Sequence, residues 1–329
     1  MALVEVKQLS KYFPTENGML HAVDKVDFEI EEGRTLGVVG ESGCGKSTLG
    51  RVVLRMTEPT DGQIWFEGKE ITGLGRNEIH KMRTNMQMIF QDPFSSIDPR
   101  MTITQTIEEP LIIHRLIRNK EERAKKVRDL MDLVGIAKRY VNAYPHELDG
   151  GRRQRVGIAR ALAVDPKFIV CDEPVSALDV SIQAQILNLL QDIQRERKLT
   201  YMFITHNLSV VKYVSDDICV MYLGQIVEKG STEEFFRNTL HPYSQALLSA
   251  ILIPDLDVKR NRIILKGELT SPINPADACR FAPRCLHADE ECFKSCPSLR
   301  DIGNGHFVRC HKVKGKEGLE KAEEKTIEQ

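Results

Sequence analysis

The stretch GVVGESGCGKSTLGRVV, residues 37–53, decides the fold. Its apolar start is typical of a buried strand, its centre is a glycine-rich loop, and its end is typical of a helix. The loop matches G-x-x-x-x-G-K-[ST], in which the glycines allow consecutive backbone N–H groups to turn toward one phosphate. The following helix adds the positive end of its dipole. The stretch therefore predicts a P-loop that binds nucleotide phosphates in an α/β fold.

The P-loop predicts a role for each of its residues. Lys46 is expected to reach the outer phosphates, and Ser47 is expected to bind Mg²⁺. The other predicted ATP-binding residues of the loop are Gly40, Ser42, Gly43, Cys44, Gly45 and Thr48. Cys44 is expected to matter mainly as a small residue, although a thiol beside a phosphate is open to modification. A chance glycine-rich turn is the disfavoured alternative, because strand and helix patterns flank the loop.

A second half of the site is predicted at KFIVCDEPVSALD, residues 167–179. Its apolar run indicates a buried parallel strand that ends at two adjacent acids. Ligands of an open α/β sheet bind where strands end. Asp172 is therefore expected to hold the magnesium shell, and Glu173 to polarise the water that attacks the γ-phosphate. Alone, the two acids would only indicate a helix-capping turn.

Composition limits the remaining function classes. The chain has 329 residues, 46 Lys and Arg against 47 Asp and Glu, and 41% hydrophobic residues. These numbers predict a globular protein of one large domain with an appendage or two ordinary domains. The balanced charge does not favour a nucleic-acid partner. No apolar run has the length needed to cross a bilayer, so the chain is expected to be soluble.

Five of the eight cysteines lie within residues 279–310: Cys279, Cys285, Cys292, Cys296 and Cys310. Their spacing lacks the paired C-x2-C units of a structural zinc ribbon, so zinc is a second choice. Disulfides are disfavoured, because a P-loop ATPase without a signal segment is expected in the reducing cytoplasm. Clustered thiolates there indicate a soft metal site, with free thiols in a small tail domain as the alternative.

Together these motifs resemble those of ATP-binding subunits of ABC transporters, in the same order, over residues 1 to about 235. The resemblance implies that Phe13, or alternatively Tyr12, stacks on adenine. It also implies that Gln91 senses magnesium and water, that His206 contacts the γ-phosphate, and that Asp179 closes a loop crossing a dimer interface. A helical insert at about residues 92–150 would receive the permease, although such a charged amphipathic helix is by default a solvated face over core.

A narrower resemblance rests on SSIDPRMT at 95–102, HPYSQALLSAI at 241–251 and INPADACRFAPRC at 273–285. These stretches are similar to ATPase subunits of dipeptide and oligopeptide importers, with nickel importers close by. The P-loop spelling is most like that of the second ATPase subunit. The resemblance implies a cysteine-rich C-terminal extension over 236–311. It also implies a 4Fe-4S cluster at Cys279, Cys285, Cys292 and Cys310, with Cys296 spare. The charged segment 312–329 is expected to be disordered.

The function that follows is an ATPase subunit, at the cytoplasmic face of the cell membrane, that drives peptide import. Its expected cofactors are ATP and Mg²⁺. Its expected partners are a second ATPase subunit (or its own copy), two permease subunits and, indirectly, an extracytoplasmic solute-binding protein. The soluble DNA-repair and translation-factor ATPases are an alternative, but this chain lacks their long coiled-coil insertion or tandem cassettes. A largely regulatory ATP-binding subunit is the third hypothesis.

The regulatory hypothesis rests on ELDGGRRQR, residues 147–155. The family's signature motif usually reads Leu-Ser-Gly-Gly-Gln, whereas here it is Leu148, Asp149, Gly150, Gly151 and Arg152. Aspartate can still cap the following helix. An ionised carboxylate cannot donate to the γ-phosphate of the opposite subunit, and about 4 Å from a phosphate charge it costs roughly 4 kcal/mol. Arg152 or Arg153 is expected to offset that cost, and the partner's ATP site is predicted to be the weaker one.

Overall fold

A computed structural model describes residues 2–92, 94–250, 262–265, 267, 270–313 and 315. Most of the predicted disordered tail, residues 314 and 316–329, lies outside these residues. The strands are β1 (Ala2–Thr15), β2 (Gly18–Glu31), β3 (Thr35–Val39), β4 (Asp61–Phe66), β5 (Lys69–Glu70), β6 (Met86–Ile89), β7 (Phe168–Asp172), β8 (Thr200–Thr205), β9 (Asp217–Tyr222), β10 (Gln225–Ser231), β11 (Arg300–Asp301) and β12 (Phe307–Val308).

The helices surround these strands, and three single 3-10 turns are formed by residues 138–140, 145–147 and 282–284. The α-helices are α1 (Lys46–Val53), α2 (Arg76–Met82), α3 (Ile103–Ile113), α4 (Lys120–Leu133), α5 (Gly150–Leu162), α6 (Val180–Arg197), α7 (Leu208–Val214), α8 (Thr232–Arg237), α9 (Pro242–Ser249) and α10 (Glu290–Lys294). Among the described residues, none of these helices is both long and apolar enough to span a bilayer.

The main sheet has eight strands in the order β11-β12-β10-β9-β3-β8-β7-β6. Strands β9, β3, β8, β7 and β6 run parallel to one another. Every residue of β3, β7 and β8 is buried, as expected for parallel strands that are covered on both faces. The carboxyl ends of these parallel strands therefore lie along one edge, where the predicted α/β fold places its ligands.

A second, antiparallel sheet has the order β2-β1-β4-β5. Its apolar face shares one buried cluster with α1 and the main sheet, to which it contributes Val4, Leu9, Phe28 and Ile64. The helix α1 lies close to the main sheet, because a Cβ on Gly50 would come within 2.8 Å of Ile204 and Val170. This packing places the start of α1, and therefore the P-loop, directly above the carboxyl ends of the central strands.

The predicted helical insert corresponds to α3, α4 and the turns that lead into α5. The side chain of Thr102 caps α3 and accepts from one backbone N–H, and that of Asn119 caps α4 and accepts from two. Their apolar faces share one buried cluster with α5 and α6. The helical region therefore continues beyond the predicted limit at residue 150 through α5, whose first turn carries the signature motif.

The C-terminal extension is joined to the main sheet. Strand β12 pairs with β10, so residues after 300 add an edge to the same sheet. Phe281 is 2% exposed and packs in a cluster with Val39, Tyr222 and Tyr243. The predicted cysteine-rich C-terminal domain is therefore not confirmed as a separate unit, because its apolar residues are buried against the ATPase core.

Candidate active site

The P-loop turns between β3 and α1 through glycines that no other residue can replace. Gly45 has φ of +105°, and a Cβ there would lie 2.0 Å from the carbonyl oxygen of Ala22. Gly40 has φ of +155°, and a Cβ there would lie 2.2 Å from the carbonyl oxygen of Met221. Both the left-handed backbone and the close approach of neighbouring chain require glycine. Ser42 and Gly43 form the exposed crest of the loop.

Lys46 occupies the centre of the loop. Its ammonium donates to the carbonyl oxygens of Gly40 at 2.8 Å and Glu41 at 2.9 Å, and the residue is 4% exposed. These two bonds fix the position of the ammonium within the phosphate-binding loop. Burial raises the pKa of the neighbouring Cys44 thiol, which therefore stays protonated at neutral pH and acts as a small packing residue.

The predicted magnesium ligands are brought together across two elements. The Ser47 hydroxyl, at the start of α1, donates to the Asp172 carboxylate at the end of β7 over 2.7 Å. Burial raises the pKa of the Asp172 carboxyl, while the hydrogen bond from Ser47 opposes that shift. A hydroxyl and a carboxylate at this spacing are oxygen ligands of the kind that Mg²⁺ prefers.

Glu173 is contacted by two side chains that follow the strands on either side of β7. Gln91, which follows β6, donates to the carboxylate of Glu173 at 3.1 Å, and the Nδ1 of His206, which follows β8, lies 3.3 Å from the same oxygen. The backbone of Glu173 has φ of 44°, in the left-handed region that L-residues rarely adopt. Such strain is found where the surroundings hold a functional side chain in place. A fixed carboxylate here can accept a proton from a water molecule.

The two aromatic candidates for adenine have different surroundings. The Tyr12 hydroxyl donates to Asp24 at 2.6 Å, and its ring stacks on His21 at 3.9 Å. Phe13 is half-buried, and the Lys11 ammonium lies 4.9 Å from its ring centroid. Tyr12 is thus held by a hydrogen bond and a ring stack, and the stacking of Phe13 on adenine stays a prediction.

The signature motif lies at the start of α5. The backbone N–H of Arg152 donates to Asp149 at 2.8 Å, so the aspartate caps the helix as expected, and the Arg152 guanidinium pairs with the other carboxylate oxygen. Arg153 is 8% exposed and donates to the Pro145 carbonyl. Arg152 alone therefore neutralises Asp149. Leu148 is buried, and a Cβ on Gly151 would lie 2.6 Å from Ile182.

Asp179 precedes α6 on the surface. Its side chain makes no capping hydrogen bond, and the next residue, Val180, is 82% exposed. Both residues are exposed, and the predicted role of Asp179 at a dimer interface stays a prediction.

The four cysteines predicted to hold a cluster influence one another. Burial raises the pKa of each thiol, that of Cys279 to about 11, and the charge of Cys310 adds to the shift at Cys279, Cys285 and Cys292. The thiol of Cys296 instead contacts the Gln225 side chain at 3.9 Å. Within the described residues, no group of three or more His, Cys, Asp or Glu side chains is placed to hold a metal ion. The structure therefore does not support the predicted iron–sulfur cluster.

Comparison with known proteins decides the family. An ABC transporter model matches residues 23–176, and a model of the oligopeptide/dipeptide transporter C-terminal region matches residues 227–292. The putative oligopeptide transport ATP-binding protein YkfD of Bacillus subtilis is 49% identical over 98% of this chain and 98% of its own. The oligopeptide transport ATP-binding protein OppF of the same organism is 48% identical over 94% and 96%. The chain belongs to the oligopeptide transport ATP-binding proteins of the ABC transporter family.

Solved structures agree with this assignment. A dimeric post-hydrolysis state of the ATP-binding cassette MJ0796 bound to ADP and Pi has a TM-score of 0.65 and 29% identity, covering 70% of this chain and 98% of that one. The cbiO1 subunit from Clostridium perfringens has a TM-score of 0.64 and 28% identity, covering 72% and 91%. The predicted α/β ATPase fold is confirmed. As a family member, the chain is an ATPase whose hydrolysis is coupled to transport.

Sequence reasoning missed two residues that touch the P-loop. Tyr243 and Arg284, both in the C-terminal extension, contact Glu41. Their partner lies 202 and 243 residues away along the chain, and neither residue stands in a local pattern that indicates nucleotide binding. The one available signal was their position inside the stretches 241–251 and 273–285, which carried the resemblance to peptide importers.

Proposed function

We propose that this chain powers uptake of peptides by hydrolysing ATP at the cytoplasmic face of a membrane transporter. The observation that carries the proposal is the convergence of five side chains at one edge of the sheet. These side chains come from four separate segments of the chain. They are Ser47, Gln91, Asp172, Glu173 and His206. The substrate class comes from the oligopeptide transport relatives, which match this chain along nearly its whole length.

The proposed reaction divides the work among these residues. Lys46 would bind the outer phosphates, and Ser47 and Asp172 would hold Mg²⁺, which would supply positive charge to neutralise those phosphates. Glu173 accepts the proton of the attacking water, while Gln91 and His206 keep its carboxylate oriented. No covalent intermediate is needed, because phosphoryl transfer depends mainly on positioning and electrostatic stabilisation.

A partner ATPase subunit is part of the proposal. Asp149 and Arg152 of the signature motif are exposed, as is Asp179, and within the described part of the chain their side chains make no hydrogen bond to this chain's own P-loop. The related MJ0796 cassette forms a dimer with ADP and Pi bound. We expect the partner to be a second ATPase subunit, with a homodimer forming when this chain is isolated.

The permease is expected to dock on a cleft between the end of β6 and α3. The cleft has a volume of about 630 Å³, and its lining includes Met56, Phe90, Glu109, Pro110, His114 and Arg160. Met56 is 47% exposed, and Ile113 nearby on α3 is 55% exposed. Gln91 directly follows Phe90, so a permease helix in this cleft would lie next to a side chain that contacts Glu173.

Copurification tests this assignment of partners. The chain carries an affinity tag and is co-expressed with the second ATPase subunit and the two permease subunits, then extracted in detergent. All four subunits should be recovered together. Recovery of the tagged chain without permease, under conditions that keep the permease folded, would instead favour a soluble ATPase of another kind.

The signature motif carries a prediction about the partner's ATP site. The double change Asp149→Ser with Arg152→Gln restores a hydroxyl donor and removes the ion pair. We expect it to raise ATP turnover at the partner's site, because the carboxylate that opposes the γ-phosphate is gone. Arg152→Gln alone is the matched comparison and should lower turnover, because it leaves Asp149 without its counter-charge. Site-specific turnover is measured in heterodimers with one inactivated P-loop. Unchanged rates in both variants would show that Asp149 acts only as the cap of α5.

An iron–sulfur cluster remains a proposal for Cys279, Cys285, Cys292 and Cys310. It rests on the resemblance to peptide importers, and the backbone N–H of Cys279 donates to the carbonyl oxygen of Cys292 at 2.9 Å, which places two of the four residues side by side. Such a cluster is held by four cysteine thiolates. When bound, such a cluster would cross-link the extension to the sheet edge formed by β12.

The cluster proposal predicts a difference between two cysteine variants. Protein purified without oxygen should be brown, with about four irons per chain if one cubane is present. Cys285→Ser should lose the colour and the iron, because it removes one of four ligands. Cys296→Ser should keep both, because its thiol contacts Gln225. Stoichiometric zinc without iron would refute the cluster, and loss of iron in Cys296→Ser would refute the ligand set.

A further inference from the structure

The C-terminal extension reaches back to the P-loop and holds one of its residues at two points. The hydroxyl of Tyr243 accepts a hydrogen bond from the backbone N–H of Glu41 at 2.8 Å. The guanidinium of Arg284 donates to both carboxylate oxygens of Glu41, at 2.7 and 3.2 Å. Glu41 directly follows Gly40, the first glycine of the phosphate-binding loop. The extension therefore contacts both the backbone and the side chain of the loop.

The side chains of Tyr243 and Arg284 are held in place by neighbouring aromatic rings. Tyr243 is 0% exposed, and its ring packs 4.7 Å from that of Tyr222 and 5.5 Å from that of Phe281. The side chain of Arg284 is 11% exposed, and its guanidinium lies 6.0 Å from the Tyr222 ring. A two-point guanidinium–carboxylate pair in a mostly buried setting is stronger and more directional than a surface ion pair.

In the absence of nucleotide, Glu41 is fixed by contacts to its backbone and to its side chain. Its carbonyl oxygen accepts from Lys46 at 2.9 Å, while Tyr243 and Arg284 hold its N–H and its carboxylate. Any movement of Lys46 toward a bound phosphate would weaken its bond to that carbonyl. The contacts from the extension do not involve Lys46, so they can keep the loop in shape at that stage.

The negative charge of Glu41 is a second reason to expect that Arg284 affects ATP binding. A carboxylate inside a loop that wraps a polyphosphate repels the ligand unless a cation neutralises it. Arg284, which lies in the C-terminal extension, supplies that cation. The pair thus allows Glu41 to fix the loop through its side chain without an electrostatic cost to ATP binding.

We propose that Arg284 and Tyr243 are positioning residues for ATP, which hold the P-loop in its binding shape and neutralise Glu41. The proposal deepens the proposed function and rests on its ATP site. It gives the C-terminal extension a direct part in nucleotide affinity, in addition to any metal it holds. Neither side chain is expected to touch the reacting atoms.

The test separates affinity from turnover in the full-length chain, with ATP and Mg²⁺ as the probe. Arg284→Gln is expected to weaken ATP binding about tenfold, the effect of losing one charge-assisted contact. Turnover at saturating ATP should stay within about twofold, since the hydrolytic residues are unchanged. The Glu41→Gln, Arg284→Gln double variant should recover most of the lost affinity, because no unpaired carboxylate then faces the phosphates. Lys294→Gln, in an exposed ion pair of the same extension, should change neither value.

Three results would overturn the proposal. They are unchanged affinity in folded Arg284→Gln, a double variant as weak as the single one, or a fall in turnover with affinity intact. If Arg284→Gln does not fold, Tyr243→Phe gives the answer, because it removes only the hydroxyl that Glu41 contacts and should still weaken ATP binding several-fold. Wild-type protein that binds no ATP would refute the proposed function itself, whereas normal wild-type binding with unaffected variants would refute the positioning role alone.

Discussion

Replacing Glu173 with glutamine is expected to slow ATP hydrolysis by about 10²- to 10⁴-fold, the usual contribution of a positioned general base. The change keeps the shape of the side chain but removes its capacity to accept a proton. Gln91 and His206 already point at the same carboxylate oxygen, over 3.1 and 3.3 Å. The glutamine therefore occupies the same place without the same chemistry.

ATP binding should survive this change, because Glu173 contacts no residue of the P-loop among the described hydrogen bonds. The measurement is phosphate release at saturating ATP in the assembled transporter, together with the affinity for a fluorescent ATP analogue. Glu196→Gln, an exposed glutamate on α6, is the matched control and should leave both values unchanged. Turnover at the wild-type rate in Glu173→Gln would remove this residue from catalysis.

The second large effect is expected from Lys46→Ala, which should act on binding. Losing a charge-assisted hydrogen bond to phosphate costs about 2–3 kcal/mol, so affinity should fall roughly 30- to 150-fold. In the absence of nucleotide the same ammonium bridges the carbonyls of Gly40 and Glu41, so its removal also loosens the empty loop.

Isothermal titration with ATP and Mg²⁺ measures this loss directly. Lys125→Ala, which removes an exposed lysine from α4, is the control for the change in net charge. Its affinity should match that of the wild type. If Lys46→Ala binds ATP as tightly as Lys125→Ala, the outer phosphates are held elsewhere and the assignment of the P-loop is wrong.

The parts of the site that sequence predicts are those in which a strand, a turn and a side chain are contiguous. The P-loop carries its own glycines, lysine and serine within nine residues. Asp172 and Glu173 directly follow a strand whose apolar run is continuous. Parallel strands end at the same edge of a sheet, so these separate motifs predict one site before any distance is known. The structure brings Ser47 to Asp172 and Gln91 to Glu173 in that way.

The rest depends on contacts between residues far apart in sequence, for which no periodicity exists. The pairing of β12 with β10 makes the extension part of the main sheet, although the resemblance to peptide importers implied a small cysteine-rich domain there. The bonds from Tyr243 and Arg284 to Glu41 follow from that packing. The contact between Tyr12 and Asp24 likewise exists only in the folded sheet, since the two residues lie on different strands.

Asp149 falls between these two cases. Its capping of α5 is a local effect and was predicted from residue type alone. Its neutralisation by Arg152 is also local, at three residues' distance, but the sequence left Arg153 as an equal candidate. The structure distinguishes the two arginines by their contacts. Arg153 donates to the Pro145 carbonyl, and its guanidinium lies 3.8 Å from the centroid of the Phe94 ring.

Peptide uptake driven by ATP is the central claim, and transport into sealed vesicles tests it most directly. Proteoliposomes contain this chain, its ATPase partner and the two permease subunits, with ATP and Mg²⁺ enclosed and solute-binding protein with a labelled oligopeptide outside. We expect labelled peptide to accumulate inside only when ATP is enclosed, and not to accumulate when the chain carries Glu173→Gln. Equal accumulation without ATP, or with Glu173→Gln in place of the wild-type chain, would contradict the claim.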